Sequence, residues 1–204
     1  MDALLIVDLQ NDFCPGGALA VPEGDQVVEP LNRLADSFDL VVASRDWHPP
    51  DHGSFAGVTV DPDAWQGTDP PSIWPPHCVQ GTEGAELHPS LDRSSIDVVM
   101  DKGQDANSQG YSAFQDTPLA ELLRARGVDR LYVGGLATDY CVKNSVLDAR
   151  SLGLDVIVVE DAIRGVEVEP GDSERAVEAM REAGAVLASS EEVLQARTQT
   201  ASRP

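Results

Sequence analysis

The feature that most restricts the fold is a repeated alternation of two kinds of segment. ALLIVDLQ (3–10), LVVASRD (40–46), IDVVMDKG (96–103), RLYVGG (130–135) and LDVIVVED (154–161) are short, β-branched apolar runs. Several close on an acidic residue or a glycine, and they read as buried parallel strands. Helical spacing fills the intervals. Val27, Val28, Leu31, Leu34 and Ala35 form one stripe, and TPLAELLRARG offers Thr117 as N-cap, Pro118 at the first position and Gly127 at the close. DSERAVEAMREAG repeats the arrangement with Ala176, Val177, Ala179, Met180 and Ala183 before a last short strand, AVLA. Such alternation implies an α/β fold with a doubly wound, mainly parallel sheet flanked by helices in three α/β/α layers. The chain of 204 residues suits one domain over 1–190, with 191–204 as the end of a C-terminal helix and a loosely ordered tail.

One segment breaks the pattern. Residues 45–94 are rich in Pro, Gly and Asp, lack periodicity, and hold all four histidines and all three tryptophans. A loop this long inside a compact domain is usually functional or disordered, and its aromatic content argues against disorder. It begins beyond the carboxyl end of a strand, where open α/β sheets collect ligands.

Charge narrows the partners. With 35 acidic against 14 basic residues the net charge is -21, which disfavours nucleic acid and anionic membranes. The excess is either a plain solvated acidic surface or an adaptation to high salt. No apolar run reaches membrane-spanning length and MDALLIVDLQ lacks a signal peptide's basic flank, so the expected location is the cytoplasm. Cys14, Cys78 and Cys141 are odd in number and irregular in spacing, and are expected to be reduced thiols. Neither a G-x-G-x-x-G, a P-loop nor a G-x-S-x-G motif is present, so dinucleotide, nucleotide-phosphate and serine-hydrolase chemistry gain no support.

Three reactive side chains fall at predicted strand ends. Asp8 ends the first strand, Lys102 follows IDVVMD, and Cys141 follows RLYVGG in the stretch GGLATDYCV. Val142, Val146, Ala149 and Leu152 continue that stretch as a helix. With Thr138 as N-cap, Cys141 becomes the third helical residue, where free N–H groups and the helix dipole favour a thiolate. An acid–base group and a cation beside such a thiol are the parts a cysteine nucleophile needs. Singly, each has an ordinary alternative: a turn-capping aspartate, a surface lysine, a small buried cysteine.

A second constellation lies in SRDWHPPDHGSF and WPPHCVQGT. Asp46, His48 and His77 offer one carboxylate and two imidazoles, a set that leaves a metal position open. Asp46 and His48 alternate along an extended chain and so share a face. His52, Cys78 and His88 compete as ligands.

VDLQNDFCPGGAL, SRDWHPPDHGSF, WPPHCVQGTEGAELHP, DKG and GGLATDYCV together resemble the nicotinamidase branch of the isochorismatase-like cysteine hydrolases, from about residue 3 to 187. The resemblance implies a catalytic triad of Asp8, Lys102 and Cys141, and a divalent transition metal on Asp46, His48 and His77, zinc first, with iron and manganese as alternatives. His52 stays outside that metal shell, and Ser54 contacts it through water. It further implies a cis Leu136–Ala137 peptide, an oxyanion hole from the N–H groups of Ala137 and Cys141, and substrate contacts from Phe13, Trp74, Tyr111 and Leu136. The implied substrate is nicotinamide, with pyrazinamide-like amides beside it, and a homo-oligomer is allowed. A metal-free hydrolase of the same superfamily and a non-catalytic binding protein on the same fold are the alternatives.

Overall fold

The computed structural model describes residues 1–68 and 72–201, without the side chains of the last two. Six strands form one parallel sheet: β1 Asp2–Val7, β2 Val41–Asp46, β3 Val98–Lys102, β4 Arg130–Leu136, β5 Asp155–Arg164 and β6 Val186–Ala188. Their order is β3-β2-β1-β4-β5-β6, so the winding reverses between β1 and β4. The helices are α1 Val28–Ala35, α2 Leu119–Ala125, α3 Lys143–Ser151, α4 Asp172–Glu182 and α5 Ser190–Ala201.

The alternation of β1 explains the layers. Leu4 and Ile6 belong to a core shared with Leu31 and Leu34 of α1 and Val193 of α5, whereas Ala3, Leu5 and Val7 join Leu123 of α2, Val146 of α3 and Met180 of α4. Each fully buried leucine or valine contributes about 1.5–3 kcal/mol of transfer free energy. The doubly wound three-layer architecture is therefore as the periodicity predicts. Thr117 Oγ1 accepts from Leu119 N–H at 3.3 Å, but the N-cap of α2 is Pro118 and not Thr117, so the helix begins one residue later than the pattern suggests.

The first differences lie at element ends. β5 runs to Arg164 rather than 161, because a bulge between Val133 and Gly135 of β4 shifts the register and lets the pairing continue. Residues 195–201, expected to be loose, continue α5, and Arg197 fastens it with Nη1 2.9 Å from Asp2 and its guanidinium 3.8 Å over the Phe38 ring. Residues 202–204 of the expected tail lie outside the described residues.

Two backbone features shape the sheet's carboxyl edge. Asp8 has φ 46°, which turns the chain sharply away from β1. Gly135 sits at φ 123° against the Val7 carbonyl, where any Cβ would collide with that oxygen. Between β2 and β3 the described residues form only two short 3-10 turns, Glu83–Ala85 and Arg93–Ser95; an isolated bridge of Gln10 with Leu87 links the segment to the body, and one of His48 with Val79 ties it to itself.

Candidate active site

Asp8, Asp46, Lys102 and Cys141 stand at or just beyond the ends of β1, β2, β3 and β4, and all four are buried. The register pairs Asp46 directly with Lys102 across β2 and β3. Lys102 Nζ donates to Asp46 Oδ1 at 2.5 Å and to the Gly110 carbonyl at 2.9 Å, and lies 3.5 Å from Cys141 Sγ and 2.8 Å from Asp8 Oδ2. Asp8 Oδ1 accepts the Ser44 hydroxyl at 2.7 Å. Its Oδ2 faces the Lys102 ammonium as an ion pair inside the cluster.

Burial opposes the charged form of each of these groups, and the neighbouring charges decide how far. It raises Asp8, with Lys102 opposing, and it pushes the Cys141 thiol well above its ordinary value, again against the pull of Lys102. For Lys102 burial acts downward, but the Asp46 and Asp8 carboxylates outweigh it and hold the ammonium charged. Burial also opposes ionisation of Asp46, yet Lys102 and His48 keep its carboxyl well below the usual range.

The expectation of an easily ionised thiol at a helix start needs correction. Thr138–Val142 form a single π-turn capped by Ala137, not the first turn of α3, and Thr138 is not the N-cap. Cys141 is 5% exposed, so desolvation of the thiolate outweighs what the turn's free N–H groups could supply. The Leu136–Ala137 peptide is cis, as the resemblance implies.

Beside this cluster, ligand atoms of Asp46, His48 and His77 lie within 4.8 Å of one another, all on buried residues. His48 Nδ1 meets the Gly103 carbonyl at 2.8 Å, and His77 Nδ1 meets the Pro75 carbonyl at 2.7 Å. A carbonyl can only accept, so each ring carries a proton on Nδ1, and Nε2 is the nitrogen left to face a metal. Burial and neighbouring His48 lower His77 to about 4, which keeps it neutral near pH 7. A carboxylate and two such imidazoles fit a divalent transition metal. Asp8, Asp46 and Cys141 also lie within 4.8 Å of one another, but the Lys102 ammonium already occupies their midst.

The competing ligands stay apart. His52 bonds Ser54 Oγ through Nδ1 at 2.8 Å and stacks on His48 with ring centroids 4.0 Å apart, and it is outside the close set. Cys78 and His88 are also outside it.

A narrow pocket opens between the two clusters, lined by Phe13, Asp46, Trp74, His77, Tyr111, Ala137 and Cys141 among others. Trp74 Nε1 donates to the Tyr111 hydroxyl at 3.0 Å, and the Trp74 and Tyr140 rings meet edge to face at 5.0 Å. Of the expected substrate contacts, the side chain of Leu136 is not brought there: it is fully buried in the core, near Gly24. Tyr140, Leu19 and Val166 also line the pocket and were not anticipated. Only Tyr140 carried a signal, as the neighbour of Cys141.

A winding-reversal α/β sheet whose strand ends gather a carboxylate, an ammonium and a thiol defines a class of small α/β proteins with an enclosed thiol. The isochorismatase domain model matches residues 2–192, and the chain belongs to the isochorismatase family. It is 51% identical over 198 residues to a nicotinamidase of Escherichia coli, covering 91% of this chain and 93% of that one. Among solved structures it is similar to the pyrazinamidase of Pyrococcus horikoshii in complex with zinc, at 39% identity and TM-score 0.78, covering 92% of this chain and 98% of that one. It is also similar to PnC1 from L. infantum in complex with nicotinate, at 35% identity and TM-score 0.81, covering 94% and 93%.

Proposed function

We propose that this chain is a cytoplasmic nicotinamidase that hydrolyses nicotinamide to nicotinate and ammonia, and accepts pyrazinamide-like amides as well. The observation that carries the reading is the convergence of Lys102 Nζ, Asp8 Oδ2 and Cys141 Sγ beside an aromatic-walled pocket. Kinship with a nicotinamidase at 51% identity supports the choice of substrate.

The chemistry follows from the proton inventory. Asp8 takes the proton of Cys141 while the Lys102 ammonium favours the anion, and Sγ attacks the amide carbon. As the C–N bond breaks, Asp8 returns the proton to nitrogen and ammonia departs, leaving a nicotinoyl thioester on Cys141. Water then adds to the thioester carbon, its proton passing to Asp8 and from there to the departing thiolate. Backbone N–H groups of Ala137 and Cys141 are assigned to the oxyanion in both halves. Phe13, Trp74, Tyr111 and Tyr140 hold the ring by apolar and edge contacts.

Asp46, His48 and His77 would hold a divalent transition metal, zinc by analogy with the Pyrococcus structure. When bound, such an ion supplies a Lewis acid beside the pocket that can engage a ring nitrogen and fix the ring's orientation.

The test is ammonia release by purified protein given nicotinamide, benzamide or isochorismate. Fast release from nicotinamide and much slower release from benzamide, which lacks the ring nitrogen, is the expected result. Turnover of isochorismate with none of nicotinamide would assign the chain to another branch of the family.

A further inference from the structure

Asp46 and His77 are 31 positions apart, and among the described residues neither helix nor strand lies between them except His48 and similar single bridges. No regular ladder in that segment sets their separation. The turn after β1 supplies what the segment lacks.

Gln10 is fully buried. Its Oε1 accepts Asp46 N–H at 2.7 Å, and its Nε2 donates to the carbonyls of Asp46 at 2.8 Å and Ala85 at 2.8 Å. A side-chain amide carries the same donor and acceptor as a peptide group. Because the left-handed Asp8 turns the β1 backbone away, no strand faces Asp46 on that side, and the Gln10 amide takes the missing place. Asp12 acts at the other end. Its Oδ2 accepts Cys78 N–H at 2.7 Å, next to His77, and its Oδ1 accepts Ala18 N–H at 3.2 Å. Asn11 between them bonds the carbonyls of Glu86 at 3.0 Å and Glu83 at 2.7 Å. Gly84 packs so closely that a Cβ there would collide with the Asp12 carboxylate.

We propose that Gln10 and Asp12 form a clasp that sets the spacing of Asp46 and His77 and so preorganises the metal site. The inference rests on the reading of Asp46, His48 and His77 as ligands. Both clasp groups are positioning residues: each acts through the backbone beside a ligand. Gln10→Glu removes both donations and sets an acceptor against two buried carbonyls. Asp12→Ala removes both acceptors, while Asp12→Asn keeps one.

The experiment is a titration of chelator-treated full-length protein with Co²⁺, followed by its visible absorption, for wild type and these three variants. Thermal melting and the rate of Cys141 alkylation are measured on the same samples. Loss of an outer partner of a metal ligand typically costs 10–100-fold in affinity. We expect a loss of that size in Gln10→Glu and Asp12→Ala, partial recovery in Asp12→Asn, and little change in alkylation. Wild-type protein that binds no Co²⁺ would sink the metal reading itself. Wild type that binds while Gln10→Glu and Asp12→Ala bind equally well would leave the metal reading standing and overturn the clasp. If Gln10→Glu does not fold, the Asp12 pair decides: wild-type affinity in Asp12→Ala, or a loss that Asp12→Asn does not lessen, overturns it.

Discussion

Lys102 Nζ lies 2.5 Å from Asp46 Oδ1, so a single ammonium joins the thiol cluster to the imidazole cluster. The same ammonium is 2.8 Å from Asp8 Oδ2 and 3.5 Å from Cys141 Sγ. Two buried carboxylates thus depend on one cation.

Lys102→Met should therefore be costly in two ways. Removing one partner of a buried ion pair typically costs about 3–5 kcal/mol, because a charge is left uncompensated. Lys102→Arg keeps the charge, but a planar fork cannot reach Asp8, Asp46 and the Gly110 carbonyl from one point. Urea unfolding should show a large loss for methionine and a smaller one for arginine, with ammonia release abolished in both. Substantial activity in Lys102→Arg would return Lys102 to a charge-neutralising role only.

Much of this was legible before any coordinates, and the reasons differ by residue. Asp8, Lys102 and Cys141 each follow an apolar run, so their meeting at one sheet edge is a consequence of parallel strands. The Lys102–Asp46 pair was not legible, because it depends on the β2–β3 register, which no pattern in either strand specifies. Gln10 and Asp12 read as ordinary polar turn residues; their partners are 36 and 66 positions away. The thiol's ionisation was misjudged for a related reason. Sequence revealed a turn at Cys141 but not that the aromatic wall and the sheet seal it from water.

His52 gives a pH signature for stability. Burial and neighbouring His48 lower it to about 4, below the ordinary 6.5. Its neutral form is the one that folds, so its contribution is fully present above pH about 6.5 and is lost as pH falls toward 4. Asp8, raised by burial, acts in the opposite sense, so the measurement is a difference. In chelator-treated protein, the stability gap between wild type and His52→Phe should shift by about 2 kcal/mol between pH 7 and 5, against the wild type at the lower pH. A gap independent of pH would mean that His52 ionises in the fold as readily as in the unfolded chain.

Gly103 offers a test of the imidazole geometry. Its φ is +63°, and a Cβ there would lie 2.5 Å from His48 Cε1 and 2.7 Å from Nδ1. Gly103→Ala must displace the ring whose Nδ1 is held by the Gly103 carbonyl. Calorimetric titration with zinc should show affinity lowered at least tenfold, beside the roughly 1–3 kcal/mol of stability that a non-glycine residue at a left-handed position costs. Unchanged zinc affinity would show that His48 can move without consequence for binding.

The proton path yields the last prediction. Burial holds the Cys141 thiol protonated at rest, and the Asp8 carboxylate is the basic group in the same cluster, so ionisation of the thiol waits on transfer to Asp8. Asp8→Asn preserves volume and can still accept the Ser44 hydroxyl, but it cannot take the proton. Positioned acid–base groups contribute about 10²–10⁴-fold, so ammonia release should fall by that order while melting changes little. Cys141→Ala should remove turnover entirely and leave pocket binding of nicotinate intact. Asp8 must be ionised to act, and its raised value moves the acid limb of kcat/KM above pH 3.8, the ordinary carboxyl value, in wild type. If Asp8→Asn keeps activity within tenfold and the same acid limb, the proton goes elsewhere and the thiol is activated by Lys102 alone.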